Sequence, residues 1–156
     1  MIEVFLPEAE STFAMGVAIG KLLNPGDVLA VHGDLGAGKT TLAQGIARGL
    51  EVPEDHYVNS PTFAILQIHP GRLAFNHMDL YRLADIDEAY GIGLDEVIAS
   101  QGVSYIEWPS RVPELIPVDH IRIVLSHLEN GRRLRIEAQG ARYIGFLSSC
   151  AKLNAV

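Results

Sequence analysis

The chain of 156 residues has a single cysteine, Cys150, so no internal disulfide can staple the fold. No apolar run approaches the roughly 18 residues that a membrane-spanning helix needs. The opening Met1-Ile2-Glu3-Val4 has neither the basic stretch nor the long apolar stretch of a secretory signal. Net positive charge is lacking too, the formal charge being -7. That argues against a chain that grips nucleic acid unaided, because Lys and Arg contacts with phosphate drive such affinity. The basic cluster Arg132, Arg133 and Arg135 reads as an exposed turn and strand edge, with a local RNA- or partner-facing patch as the alternative. Repeats, low-complexity stretches and linkers are absent as well. What remains is 48% apolar and 20% charged, the balance of a globular protein. The expectation is a single domain over residues 1–156 in the cytoplasm, long enough to bury roughly two-thirds of its unfolded surface.

Local patterning divides the chain into alternating elements. Ile2 to Leu6 has the makings of a short strand. Glu8 to Leu23 is expected to be helical, with acids at its start, apolar residues at helical spacing and a stop at Asn24-Pro25-Gly26-Asp27. Val28 to Val31 is apolar throughout, as suits a strand covered on both faces. A helix is expected over Lys39 to Leu50, with Leu42, Ile46 and Leu50 four apart. Phe63 to Ile68 and Leu73 to Met78 form a predicted hairpin around His69-Pro70-Gly71. Asp85 to Ser100 is helical in parts, broken near Gly91-Ile92-Gly93, and Val103 to Ile106 is another strand. Ile121 to Leu125 and Leu134 to Ala138 pair over Glu129-Asn130-Gly131, and Ala141 to Lys152 is weakly helical. Early alternation followed by hairpins predicts a three-layer α/β fold of the P-loop NTPase kind, with a mixed parallel and antiparallel sheet.

Between the buried strand and its helix stands Gly33-Asp34-Leu35-Gly36-Ala37-Gly38-Lys39-Thr40, a full match to G-x-x-x-x-G-K-[ST]. The glycines let the backbone turn where a Cβ would clash, so that successive N–H groups point at phosphate oxygens. The helix that begins near Lys39 adds the positive end of its dipole. The Lys39 ammonium reaches the β- and γ-phosphates in this reading, and the Thr40 hydroxyl is placed for Mg²⁺. The expected phosphate-binding set is Gly33, Leu35, Gly36, Ala37, Gly38, Lys39, Thr40 and Thr41. The dinucleotide pattern G-x-G-x-x-G is missing, and so is the asparagine-lysine-x-aspartate guanine reader, which favours ATP over GTP.

Such a loop needs further charge to hold Mg²⁺ and to order an attacking water. Asp79 and Glu107 each close a predicted strand, where ligands of open α/β sheets lie. Either could instead cap the element that follows. The strand that Asp79 closes alternates and could run antiparallel, in which case Asp79 would not stand at the carboxyl end of a parallel strand. Thr62, in Asn59-Ser60-Pro61-Thr62-Phe63, is either an ordinary turn residue or a sensor of the γ-phosphate. His77 is expected to pack or pair locally, Trp108 to be buried, and Arg82 and Arg111 to make surface ion pairs.

Together these segments resemble the TsaE (YjeE) family, the ATPase subunit of bacterial tRNA threonylcarbamoyladenosine synthesis. The resemblance runs from Glu8 to about Pro117 and rests on four segments in order: Gly33 to Thr41, Ser60-Pro61-Thr62-Phe63, His77-Met78-Asp79-Leu80-Tyr81-Arg82-Leu83 and Ile106-Glu107-Trp108-Pro109. It implies that Thr40 and Glu107 ligate Mg²⁺ and that Asp79 takes the Walker-B-like place, acting through water. It places Thr62 in a switch-like loop and Thr12 near the base. It further implies ATP hydrolysis that is slow alone and faster with the TsaB–TsaD pair, which the chain would join, meeting tRNA only through that complex. Lys39, Asp79, Glu107 and Thr62 are then the expected catalytic set. Two alternatives share the same cradle: a small-molecule kinase, for which no arginine-rich lid segment is visible, and a nucleotide-gated binding module that does not hydrolyse.

Overall fold

Val28 to Val31 lacks a polar face because both faces of its strand are covered. The computed structural model describes residues 1–59 and 64–153. In chain order its elements are β1 (Ile2–Leu6), α1 (Ala9–Leu22), β2 (Val28–His32), α2 (Lys39–Gly49), β3 (Leu66–His69), β4 (Phe75–Asp79), α3 (Ile86–Gly91), α4 (Leu94–Ile98), β5 (Val103–Glu107), β6 (His120–Leu128), β7 (Gly131–Gln139) and α5 (Ile144–Leu153). Across the sheet the order is β1-β7-β6-β2-β5-β4-β3, which puts β2 in the middle. Strand β2 runs parallel to β5 and β6, and β4 runs parallel to β5. The outer pairs, β3 with β4, β6 with β7 and β1 with β7, are antiparallel. The expected mixed sheet is therefore observed.

Two cores make three layers of it. Alternate residues point to opposite faces of a strand. Leu29 and Val31 of β2, Phe75 of β4 and Val103 and Tyr105 of β5 join Ile19, Leu42 and Ile46 of α1 and α2 in one core. Val28, Met78 and Ile106 join Ala89, Leu94 and Ile98 of α3 and α4 in the other.

Helices α1 and α2 lie unusually close. Glycines four apart share a helix face, and Gly16 and Gly20 of α1 meet Gly45 and Gly49 of α2 there, backbone against backbone. A Cβ on Gly16 would sit 2.7 Å from the Leu42 carbonyl oxygen and 2.9 Å from the Gly45 Cα. Neither neighbour is a flexible side chain that could move aside.

Several boundaries differ from expectation. Strand β3 begins at Leu66, and Phe63 lies outside the described residues. The β6–β7 hairpin is longer than its hydrophobic pattern implied, and its ladder runs to Leu128 opposite Gly131, so the two-residue loop is Glu129-Asn130, with Gly131 opening β7 at φ 154°. The C-terminal third also does more than the sequence disclosed, for β6 is the inner neighbour of β2. Tyr143, just before α5, receives the Val28 N–H on its hydroxyl at 3.2 Å, and Arg142 pairs with the buried Asp27 at 3.1 Å. Cys150 on α5 is 3% exposed, and burial pushes its thiol up to about 12. Among the described residues no helix is long and apolar enough to cross a membrane.

Gly16→Ala is expected to lower stability by about 1–3 kcal/mol, the usual cost of overpacking, seen as a lower urea midpoint at unchanged slope. Cys150 is expected to resist a disulfide reagent at pH 8 in the folded protein and to react once urea unfolds it, because the thiolate is the nucleophile. Equal rates in both states would show that α5 does not pack as described.

Candidate functional site

The chain leaves β2 at His32 and enters the glycine loop at once. Gly36 and Gly38 adopt φ of 76° and 106°, left-handed values that cost a residue with a Cβ roughly 1–2 kcal/mol. The Ala37 N–H closes a turn on the Asp34 carbonyl at 3.1 Å, and Gly38 caps the start of α2. Lys39 therefore stands at the first turn of α2, where backbone N–H groups have no partner within the helix.

Lys39 is buried, 6% exposed as a residue, and its ammonium turns back to donate to the Gly33 carbonyl. It also lies 4.0 Å from the centre of the Trp108 ring, over the face where a cation is attracted. Burial draws the Lys39 pKa down from the usual lysine value, against the opposing pull of Glu107, Asp79 and Asp34. Trp108 reaches this position through a left-handed backbone, φ 54°, and is half-buried. The expectation of a buried tryptophan is corrected here: the indole forms a lid on the lysine, and Tyr81 packs on it at 5.1 Å between ring centres.

Both acids end neighbouring strands. Glu107 ends β5 opposite Val31 of β2, and Asp79 ends β4 opposite Glu107. Asp79 thus lies at the carboxyl end of a strand parallel to β5, although β4 is also antiparallel to β3. Glu107 is 2% exposed, and its Oε2 accepts from Nε2 of His77 at 2.5 Å. Asp79 Oδ1 accepts from the Tyr81 N–H at 2.9 Å and fixes the turn after β4. Burial raises the Asp79 pKa above the usual carboxylate value, helped by the charge of Glu107, while the Tyr81 N–H, His77 and Lys39 oppose the rise.

Two clefts flank the glycine loop. One of about 420 Å³ is lined by His32, Asp34, Trp108, Ser110 and His127. The other, about 310 Å³, lies between the start of α1 and the loop and is lined by Glu8, Thr12, Gly38, Thr41 and Arg132. Thr12 and Thr41, singled out on different grounds, come together here. Thr40 is part-exposed on the first turn of α2, beside Lys39. Gly33, Leu35, Gly36 and Ala37 follow one another along the loop, with Leu35 83% exposed. Thr62 lies outside the described residues.

Four contributions escaped the sequence reading. The Tyr105 hydroxyl, wholly buried, donates to the Lys39 carbonyl at 2.6 Å and ties β5 to α2. His77 holds Glu107. Trp108 covers Lys39. Arg132 donates to the Gly36 carbonyl at 3.2 Å, so one arginine of the basic cluster braces the loop and is not a plain strand-edge residue. The spacing of His77 two residues before Asp79 was the available signal, since alternate strand residues share a face.

A family model described as "Threonylcarbamoyl adenosine biosynthesis protein TsaE" matches residues 6–135. The chain belongs to the TsaE family. A family member from Treponema pallidum, named tRNA threonylcarbamoyladenosine biosynthesis protein TsaE, is 40% identical over 125 residues, which cover 80% of this chain and 91% of that one. A Bacillus subtilis protein of the same name is 40% identical over 136 residues, covering 86% and 84%. The crystal structure of Bacillus subtilis YdiB matches the fold with a TM-score of 0.85 at 32% identity, over 97% of this chain and 95% of that one.

Trp108 is the single tryptophan of this TsaE family member, so its emission reports on Lys39 directly. Lys39→Ala is expected to uncover one face of the indole to water and shift its emission to longer wavelength, whereas Lys39→Arg keeps a cation on the ring. An unshifted spectrum in Lys39→Ala would show that the stack does not form in solution.

Proposed function

We propose that the chain is an Mg²⁺-dependent ATPase subunit needed for threonylcarbamoyladenosine modification of tRNA, working with the TsaB–TsaD pair and meeting tRNA through that complex. The observation that carries the ATPase reading is the convergence of the Lys39 ammonium, the Glu107 carboxylate and the Asp79 carboxylate at the carboxyl ends of parallel strands, beside a glycine loop that opens a helix. Membership of the TsaE family supports the pathway.

ATP would lie with its phosphates along the loop, against the N–H groups of Leu35 to Thr40 and the positive end of α2. Lys39 would exchange the Gly33 carbonyl for phosphate oxygens, a better partner for an ammonium because it is charged. The base would lie toward the cleft that holds Thr12. Thr40, Glu107 and Asp79 offer hydroxyl and carboxylate oxygens, the hard donors that Mg²⁺ accepts, and Mg²⁺ commonly binds through one or two carboxylates together with phosphates. Thr40 and Glu107 would hold the ion directly and Asp79 its waters. When bound, Mg²⁺ supplies charge neutralisation at the β- and γ-phosphates. The reaction is in-line attack of water on the γ-phosphorus, the bond to the β–γ bridging oxygen breaking to release ADP and phosphate. The loop N–H groups and Lys39 stabilise the charge that develops. Thr62 completes the proposed catalytic set on the strength of the family resemblance alone.

The decisive experiment is ATP hydrolysis by the purified chain, alone and with TsaB, TsaD and tRNA. Slow turnover that rises with the partners is expected, and Lys39→Ala should lower it about 100-fold or more. Glu107→Ala should slow turnover and raise the Mg²⁺ concentration required. Stoichiometric nucleotide binding without turnover in any mixture would replace this reading with a nucleotide-gated module, and phosphate transfer to a metabolite would replace it with a kinase.

A further inference from the structure

His77 is a wholly buried, ionisable side chain at this site, and the mechanism above gives it no task. Its ring is wedged between two aromatic neighbours. Phe75, two residues earlier on β4, lies 5.7 Å away between ring centres, and Tyr105, its register partner on β5, lies 5.3 Å away, nearly edge-on at 82°. Tyr105 is itself tied through its hydroxyl to the Lys39 carbonyl. These contacts fix the direction of the imidazole, and Nε2 points at Glu107 Oε2. A carboxylate only accepts, so Nε2 carries the proton and donates. Nδ1 has no hydrogen-bond partner among the described residues, which leaves the Glu107 bond as the polar contact of this ring.

We infer that His77 is a positioning residue: it pins Oε2 of Glu107 and so aims the other carboxylate oxygen at the metal bound beside Thr40. The inference rests on the placement of Glu107 in the proposed Mg²⁺ site. A buried carboxylate needs a compensating donor, and a donor on one oxygen also removes the rotation that would scatter the other. Groups that orient a metal's ligands in this way typically control metal affinity by about 10- to 100-fold without touching the metal. His77 and Glu107 lie on adjacent parallel strands two register positions apart, so a donor in place of histidine must reach about as far as Nε2.

The test is equilibrium binding of a non-hydrolysable ATP analogue by calorimetry, over a series of Mg²⁺ concentrations and in EDTA, for the wild-type chain, Glu107→Gln, His77→Leu, His77→Asn and His77→Gln. Leu removes the donor. Asn keeps the residue polar but falls short of Glu107, and serves if the Leu variant does not fold. Gln carries an amide N–H to about the position of Nε2. The Leu and Asn variants are expected to need about 10- to 100-fold more Mg²⁺ to reach half of the metal-dependent gain in affinity, while affinity in EDTA changes by less than about twofold and Gln restores most of the shift. A purely structural role would lower affinity in EDTA as well and would not be rescued by Gln, and either result overturns the inference. A Mg²⁺ curve moved by Glu107→Gln but by no His77 variant overturns the role of His77 alone. A curve that Glu107→Gln leaves in place overturns the placement of Glu107 and this inference together.

Discussion

The site depends on three neighbouring strands that run the same way and end at the same level. In β2, β5 and β4, Val31, Glu107 and Asp79 stand side by side. A slip of one residue would turn every side chain of a strand to the opposite face, carrying Glu107 away from Lys39 and exposing the apolar residues around it. The register is held by burial on both faces, since every residue of β5 and four of five in β2 are buried. The packing that stabilises the sheet and the geometry that serves the site are one constraint.

That constraint gathers charge in a place with little water. Two carboxylates end adjacent strands, and the rise in the Asp79 pKa records the cost of burial and of Glu107 nearby. Lys39 is desolvated in turn, and the Gly33 carbonyl, the Trp108 face and the acids together make its ammonium tolerable. A ligand that brings phosphate to Lys39 would relieve one half of this arrangement, and a cation at the carboxylates would relieve the other. The two carboxylates are held in place before either arrives, so that Lys39 alone changes partner, which keeps the reorganisation small.

Much of this was legible in the sequence, and the reasons are local. The unbroken apolar run at Val28, the glycine loop and the acids after Met78 and Ile106 each carry their own signal, and the elements around them formed within a few residues of expectation. What could not be read arises from contacts between distant segments. Nothing near Tyr105 announces a bond to the Lys39 carbonyl 66 residues earlier. Trp108 was misjudged because a left-handed backbone at a bulky residue has no sequence signature. The close approach of Gly16 and Gly20 to Gly45 and Gly49 was visible as spacing within each helix, but only the crossing of the two helices gives that spacing a meaning. The C-terminal third carried no motif, yet β6 lies directly against the strand that delivers the loop.

That placement bears on the order in which the chain assembles. Strand β1 pairs with β7, and Ile2 meets Ile136 across more than 130 residues. During synthesis the first strand has no neighbour until the last hairpin leaves the ribosome, and β2 has its β6 side open until residue 120 and beyond. Pairings so far apart along the chain make for slow folding, because the entropy of closing the loop must be lost before the contact is gained. The segment that looks least functional in the sequence thus sets the moment at which the cradle becomes rigid.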